Sequence, residues 1–276
     1  MVAGRIRWGT SSWSEKSWVG PFYPPGTPPG DFLAFYATQF DTVEADVTYY
    51  RIPDARTVAT WARRLPAGFA LAAKFPRSIV HGGEDARPDP ERALCLDRVQ
   101  GDVELFLERM GALGERCGPL VLQLPYYNRQ VFASRAPFFA RLAELLAFLP
   151  ARFRYGVELR NEKWIDAELL DLLRSHRAAL VWSDLAYLAH PADLARRLDL
   201  VTADFAYGRL IGDRQKVEAL TTSFDRVVLD QTPRLERWAE LLGAVRERVP
   251  EIYVYANNHY AGHGPATIRQ LRAMVP

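Results

Sequence analysis

The chain has 276 residues, 49% hydrophobic and 25% charged, with a formal net charge of +2. That length suits one (β/α)8 barrel of about 250 residues. The composition excludes a disordered or disulfide-built chain, and the small net charge gives no global pull toward a polyanion, so a nucleic-acid contact would need a local patch. Cys95 and Cys117 stand far from any CxxC spacing, no apolar run approaches about 20 residues, and no signal-like apolar stretch follows Met1. These features predict a cytoplasmic protein with free thiols and no membrane partner.

Short β-branched and aromatic runs alternate with stretches of helical period, the rhythm of βα units and a parallel sheet. Residues 5–10 read as the first strand, followed by a Pro/Gly-rich loop carrying Trp13, Trp18, Phe22 and Tyr23. A helix over 32–40, a strand over 42–46, a helix over 57–65 near Asp54 as a cap, and a strand over 69–74 come next. A polar loop over 75–90 leads to a helix over 91–113, a strand over 119–124 and a helix over 137–149. Then follow a strand over 155–159, a helix over 166–175, a strand over 178–183 and an irregular segment over 191–197. A strand over 205–211, a loop rich in Thr, Asp and Arg, a helix over 235–248, a strand over 252–256 and a closing helix over 265–274 complete the chain. Eight strands with no linker between them predict a single-domain α/β fold over residues 1–276, a (β/α)8 TIM-type barrel. No glycine-rich phosphate fingerprint follows the first strand, which disfavours a doubly wound open sheet.

Each predicted strand runs apolar and ends polar. The ends carry Thr10, Ser11, Ser12 and Trp13; Glu44, Asp46 and Thr48; Lys74; Gln123; Glu158 and Arg160; Ser183 and Asp184; Arg209; and Asn257 and Asn258. In a barrel, strand C-termini share the face on which active sites of that fold lie. Alternation puts Glu44 on the same side as Asp46, and Glu158 on the same side as Arg160. The bland reading is that a strand end meets solvent, or that these charges neutralise one another in a structural ion network.

The strings Gly9-Thr10-Ser11-Ser12-Trp13-Ser14, Thr42-Val43-Glu44, Thr48-Tyr49-Tyr50-Arg51, Lys74-Phe75-Pro76-Arg77, Gln123-Leu124-Pro125, Val157-Glu158-Leu159-Arg160 and Tyr253-Val254-Tyr255-Ala256-Asn257-Asn258 resemble the YecE-like family, a domain of unknown function. The resemblance runs from about residue 6 to residue 271. It implies a TIM-type barrel and no established activity. That family often has Gly where Ser12 stands, an aromatic where Glu15 stands and Asn where Asp46 stands; the last departure adds a carboxylate beside Glu44.

Lys74, Arg160 and Arg209 suit a phosphate or carboxylate, and an arginine offers a planar fork for an oxyanion. Gln123, Asn257 and Asn258 add neutral polar groups, and Trp13 and Tyr50 add aromatic faces to the expected substrate-binding set. Glu158 is the leading acid–base candidate, Glu44 the second, and Asp184 completes the catalytic set. These carboxylates could instead share a divalent cation, but no HExxH or similar spacing supports a metal, and no cofactor is identified. His81 and His263 lie in loops after strands, where a lone histidine is more often a solvated surface residue. Ser11 and Ser12 lack a GxSxG elbow and the cysteines are misplaced, so neither Ser-His-Asp nor Cys-His catalysis is expected.

The favoured function is a hydrolase on a small anionic phosphoester or phosphodiester. Nucleic acid is a sub-case, served by Arg51, Arg56, Arg77 and Arg214. The alternatives are a carboxylate-dependent sugar enzyme, either glycoside hydrolase or isomerase, and a non-catalytic small-anion binding protein.

Overall fold

The computed structural model describes residues 3–276. Its strands are β1 (Arg5–Thr10), β2 (Thr42–Ala45), β3 (Ala70–Lys74), β4 (Cys117–Gln123), β5 (Tyr155–Glu158), β6 (Ala178–Leu185), β7 (Phe205–Gly212) and β8 (Glu251–Ala256). They form one sheet in the order β1-β8-β7-β6-β5-β4-β3-β2. The pairs β1·β8, β7·β8, β3·β4, β4·β5 and β5·β6 are parallel. Strands such as β3 and β6 are buried along their whole length, as parallel strands covered on both faces must be.

The helices are α1 (Phe32–Gln39), α2 (Ala55–Arg64), α3 (Arg77–Val80), α4 (Leu96–Gly111), α5 (Arg135–Phe148), α6 (Ala167–Ser175), α7 (Pro191–Ala195), α8 (Arg214–Leu220), α9 (Thr232–Val245), α10 (Asn258–Ala261) and α11 (Gly264–Met274). Strand and helix alternate along the chain, and the fold is the α/β (β/α)8, TIM-type barrel. No helix of the described residues is long and apolar enough to cross a membrane.

The elements start where side chains can satisfy free N–H groups. Asp54 accepts from Thr57 N at 2.7 Å ahead of α2, and Asp166 accepts from Leu169 N at 3.1 Å ahead of α6. Asp213 does the same for α8, accepting from Lys216 N at 3.1 Å, and so makes a helix of a stretch whose composition reads as loop. Two other expected boundaries move. The helix expected from residue 91 begins at Leu96, because Leu94 is left-handed at φ 56° and interrupts the helical path. The second strand stops at Ala45, and Asp46 opens a 3-10 turn through Tyr49, so strand alternation does not carry from Glu44 to Asp46.

The chain divides into two compact units, one running to Glu44 and resuming at Trp182–Pro276, the other Ala45–Val181. In the first, Gly9 of β1 lies against the backbone of Thr42: a Cβ there would sit 2.2 Å from the Thr42 carbonyl oxygen. Backbone cannot yield as a flexible side chain can. Gly9→Ala is expected to lose about 3 kcal/mol or more, the upper range for overpacking. A urea unfolding curve would read this as a lower midpoint at unchanged slope.

Candidate functional site

In the unit formed by the chain up to Glu44 and Trp182–Pro276, β7 and β8 pair with Tyr207 opposite Tyr253 and Arg209 opposite Tyr255. Residues two apart share a face, so Tyr207 and Arg209 point the same way. Both meet Glu44: Arg209 Nη2 donates to Oε1 at 2.8 Å and the Tyr207 hydroxyl donates to Oε2 at 2.6 Å. All three residues are buried. Burial, then the Glu44 charge, push the Tyr207 phenol well above its usual range, so it stays a donor.

Asp184, near the end of β6, is a second buried carboxylate. It forms an ion pair with Arg234, accepts from Trp238 Nε1 at 2.9 Å and from the Tyr260 hydroxyl at 2.8 Å, and has His190 Nε2 at 3.4 Å. Asn257 and Asn258 commit their amide oxygens to the loop that follows β8, accepting from His259 N and Gly264 N, each at 2.9 Å. Trp13 is half-buried, and its carbonyl accepts from the Tyr23 hydroxyl.

In Ala45–Val181, register aligns Lys74 with Val121 and Gln123 with Glu158. Val121 and Gln123 are two apart, so Lys74, Gln123 and Glu158 lie on one face at the C-terminal ends of β3, β4 and β5. All three are buried. Lys74 is paired with Asp46. Thr48 locks that corner: its hydroxyl lies 2.9 Å from both the Ala45 and Lys74 carbonyls and accepts from Lys74 N. Arg160 donates through Nε to Glu158 Oε1 at 3.3 Å. Of the aromatic side chains, Tyr50 is exposed while Tyr49 is largely covered.

One group here was singled out from the sequence only as a possible backbone contact. The Arg77 guanidinium lies over the rings of both Tyr49 and Tyr50, at 5.3 and 4.9 Å. It has no carboxylate partner among the described residues, and its Nε is buried without a hydrogen bond. His81, expected to be solvated, is instead buried and shares a 2.7 Å hydrogen bond through Nε2 with the Tyr49 hydroxyl. Burial, followed by the charge of Arg77 and, further down, of Arg160, lowers the His81 imidazolium to about 4. Arg234, which pairs with Asp184, gave no signal either, because it stands in a helix 50 residues away.

His263 is likewise buried rather than solvated, and His190 is a third buried imidazole; burial holds both down to about 4. Unfolded, each would titrate near 6.5. Between those values the unfolded chain binds more protons, so stability rises with pH from about 4 to about 6.5 and is lost on acidification through that window. His81→Gln is expected to flatten this dependence by close to one proton. The melting temperature measured from pH 4 to 7 in both proteins checks it; parallel curves would contradict a buried neutral His81. For Asp184, replacement by Ala removes the acceptor of the buried Trp238 indole and Tyr260 hydroxyl, and a loss of about 1–3 kcal/mol for each donor left unsatisfied is expected by chemical denaturation.

Three crystal structures resemble the chain. A DUF72 family protein from Thermotoga maritima MSB8 has a TM-score of 0.72 at 24% identity, covering 98% of both chains. A DUF72 family protein from Enterococcus faecalis V583 has a TM-score of 0.72 at 20% identity, covering 98% of this chain and 95% of that one. A second structure from the same organism has a TM-score of 0.67 at 19% identity, covering 98% and 97%. At these identities the likeness speaks for the fold. No curated protein matches the chain. Residues 7–276 match the family described as Protein of unknown function DUF72, to which the YecE-like proteins belong, and the chain is a member of that family.

Proposed function

We propose that the chain is a hydrolase acting on a small anionic phosphoester or phosphodiester, held at the strand ends of Ala45–Val181. One observation carries this reading: Arg77 is a cation lying near the faces of two tyrosines, with no carboxylate among the described residues to neutralise it. Cation–π contact does not use up the in-plane N–H donors of a guanidinium, which remain able to meet an oxyanion. Arg160 supports the same reading, since only its Nε reaches Glu158 and its side chain is 28% exposed.

In this reading Arg77 and Arg160 hold the anion, Lys74 and Gln123 line the floor, and Tyr50 covers the organic part. Glu158 is the acid–base group, beside the cation that would bind the substrate. Glu44 and Asp184 rank below it because each already accepts from several donors of its own unit. Arg209, bound to Glu44, ranks below Arg160 as an anion ligand for the same reason.

Calorimetry with inorganic phosphate, sulfate and a mononucleotide tests the binding half. Arg77→Ala and Arg160→Ala are each expected to weaken phosphate by about 1.5–3 kcal/mol, the range for hydrogen bonds to charged groups. An intact protein that binds none of these anions removes the basis of the reading. The chemical half is tested by Glu158→Gln. Turnover on a panel of phosphomonoesters and phosphodiesters is expected to fall by about 10²–10⁴ with the fold retained. A lower melting temperature with normal activity per folded molecule would make Glu158 a structural partner of Arg160.

A further inference from the structure

Four strands of the unit Ala45–Val181, β2, β3, β4 and β5, stand side by side in the sheet. The segments that leave their C-terminal ends are tied to one another. The Tyr49 hydroxyl and His81 Nε2, 2.7 Å apart, join the segment after β2 to the one after β3. The Tyr127 hydroxyl donates to the Val80 carbonyl at 2.6 Å and joins the segment after β4 to the one after β3. Asn161 joins the segments after β5 and β4, accepting from Tyr127 N at 2.9 Å and donating to the Tyr127 carbonyl at 2.8 Å. In strand order these segments carry Tyr50, Arg77, Tyr126 and Arg160: ring, cation, ring, cation.

Both rings are open to solvent, while the backbone that carries them is pinned. Tyr50 is 58% and Tyr126 is 64% exposed, whereas Tyr49 and Tyr127 beside them are buried and hold the hydrogen bonds just described. Tyr50 N also donates to the Val47 carbonyl at 3.2 Å. A tyrosine has only two side-chain torsions to lose when a flat ring stacks on it. The Arg77 guanidinium lies 4.9 Å from the centre of the Tyr50 ring, and the Arg160 side chain is 28% exposed. A single exposed aromatic is ordinary on a protein surface. Two of them alternating with two cations match a nucleotide chain, in which flat bases alternate with phosphates. The surrounding charge limits the length of that chain. Arg51 and Asp54, Arg87 and Asp85, and Lys163 and Glu162 are close in sequence and opposite in sign. The broad positive track on which a long polyanion gains affinity by counterion release is therefore missing from these segments.

We propose that this rim takes two linked nucleotides, with one base on Tyr50, the other on Tyr126, and phosphates at Arg77 and Arg160. The proposal rests on the reading that these arginines hold a phosphoryl group, and it names the organic part of that ligand. Calorimetry of the whole chain tests it with inorganic phosphate, thymidine 5′-monophosphate and a thymidine dinucleotide carrying a 5′-phosphate. Affinity is expected to rise in that order, by about tenfold for each base, within the range for base–aromatic stacking. Tyr50→Ala and Tyr126→Ala are each expected to bring the dinucleotide down to about the affinity of the mononucleotide, which needs only one ring. Tyr126→Phe keeps a ring and is expected to keep the dinucleotide preference. Both tyrosines are exposed, so neither alanine leaves a buried cavity. A thymidine dodecanucleotide separates the two sources of this chemistry: affinity equal to that of the dinucleotide identifies a strand end, and no binding identifies a free dinucleotide. A dodecanucleotide that binds about a hundredfold tighter overturns the two-unit site in favour of a long nucleic acid. A protein that binds phosphate without preferring either nucleotide, or whose dinucleotide preference survives both alanine variants, also overturns the proposal and leaves the anion reading standing. One that binds none of these ligands overturns both.

Discussion

The constraint on which the strand ends depend is that an ion removed from water must be given back its hydrogen bonds by the protein. Glu44 and Asp184 both obey it. Glu44 has a guanidinium on one oxygen and a phenol on the other. Asp184 collects a guanidinium, an indole and a phenol, with an imidazole close by. These donors differ in kind: the arginines bring charge, whereas the phenols and the indole bring direction without adding charge. Phenols beside Glu44 and Asp184 are pushed upward by burial and by those carboxylates, which keeps them as donors at every pH the fold tolerates.

Groups that break this rule carry information. Lys74 follows it through Asp46, the counter-ion of this strand-end lysine. Arg77 breaks it. Two tyrosine faces compensate a guanidinium partly, through cation–π attraction of about 0.5–2 kcal/mol each, and do not satisfy its N–H groups. The contrast is between Arg209, paired with Glu44, and Arg77, which lies near aromatic faces with no carboxylate among the described residues.

Much of this was legible in the amino-acid order. The alternation of apolar strand and amphipathic helix specified the barrel, and the polar residue closing a strand located Glu44, Lys74, Gln123, Glu158 and Asp184 at or next to strand C-terminal ends, whereas β7 continues three residues past Arg209 to Gly212. Pairing was legible only where it is local, as between Glu158 and Arg160, two residues apart in sequence, although β5 ends at Glu158 and its alternation does not extend to Arg160. It was not legible for Arg234 and Asp184, because nothing in a helical arginine says which strand it will meet. Burial of His81 and His263 was hidden too. Both lie in loops, and a loop is read as solvated until the aromatic rings packed on it, Tyr49 on one and Trp18 on the other, are in view. Helix α8 was missed because its determinant is one cap, Asp213, rather than an apolar stripe.

The partners of Asp184 come from positions 50, 54 and 76 residues further along the chain, on α9 and α10. No local segment can therefore stabilise this carboxylate while it is being dehydrated. Closing such long loops is entropically slow, and the reward arrives only when all of them have closed. During synthesis β6 would thus emerge with a side chain that prefers water, and that preference keeps the strand from committing to non-native apolar partners until the last quarter of the chain is available.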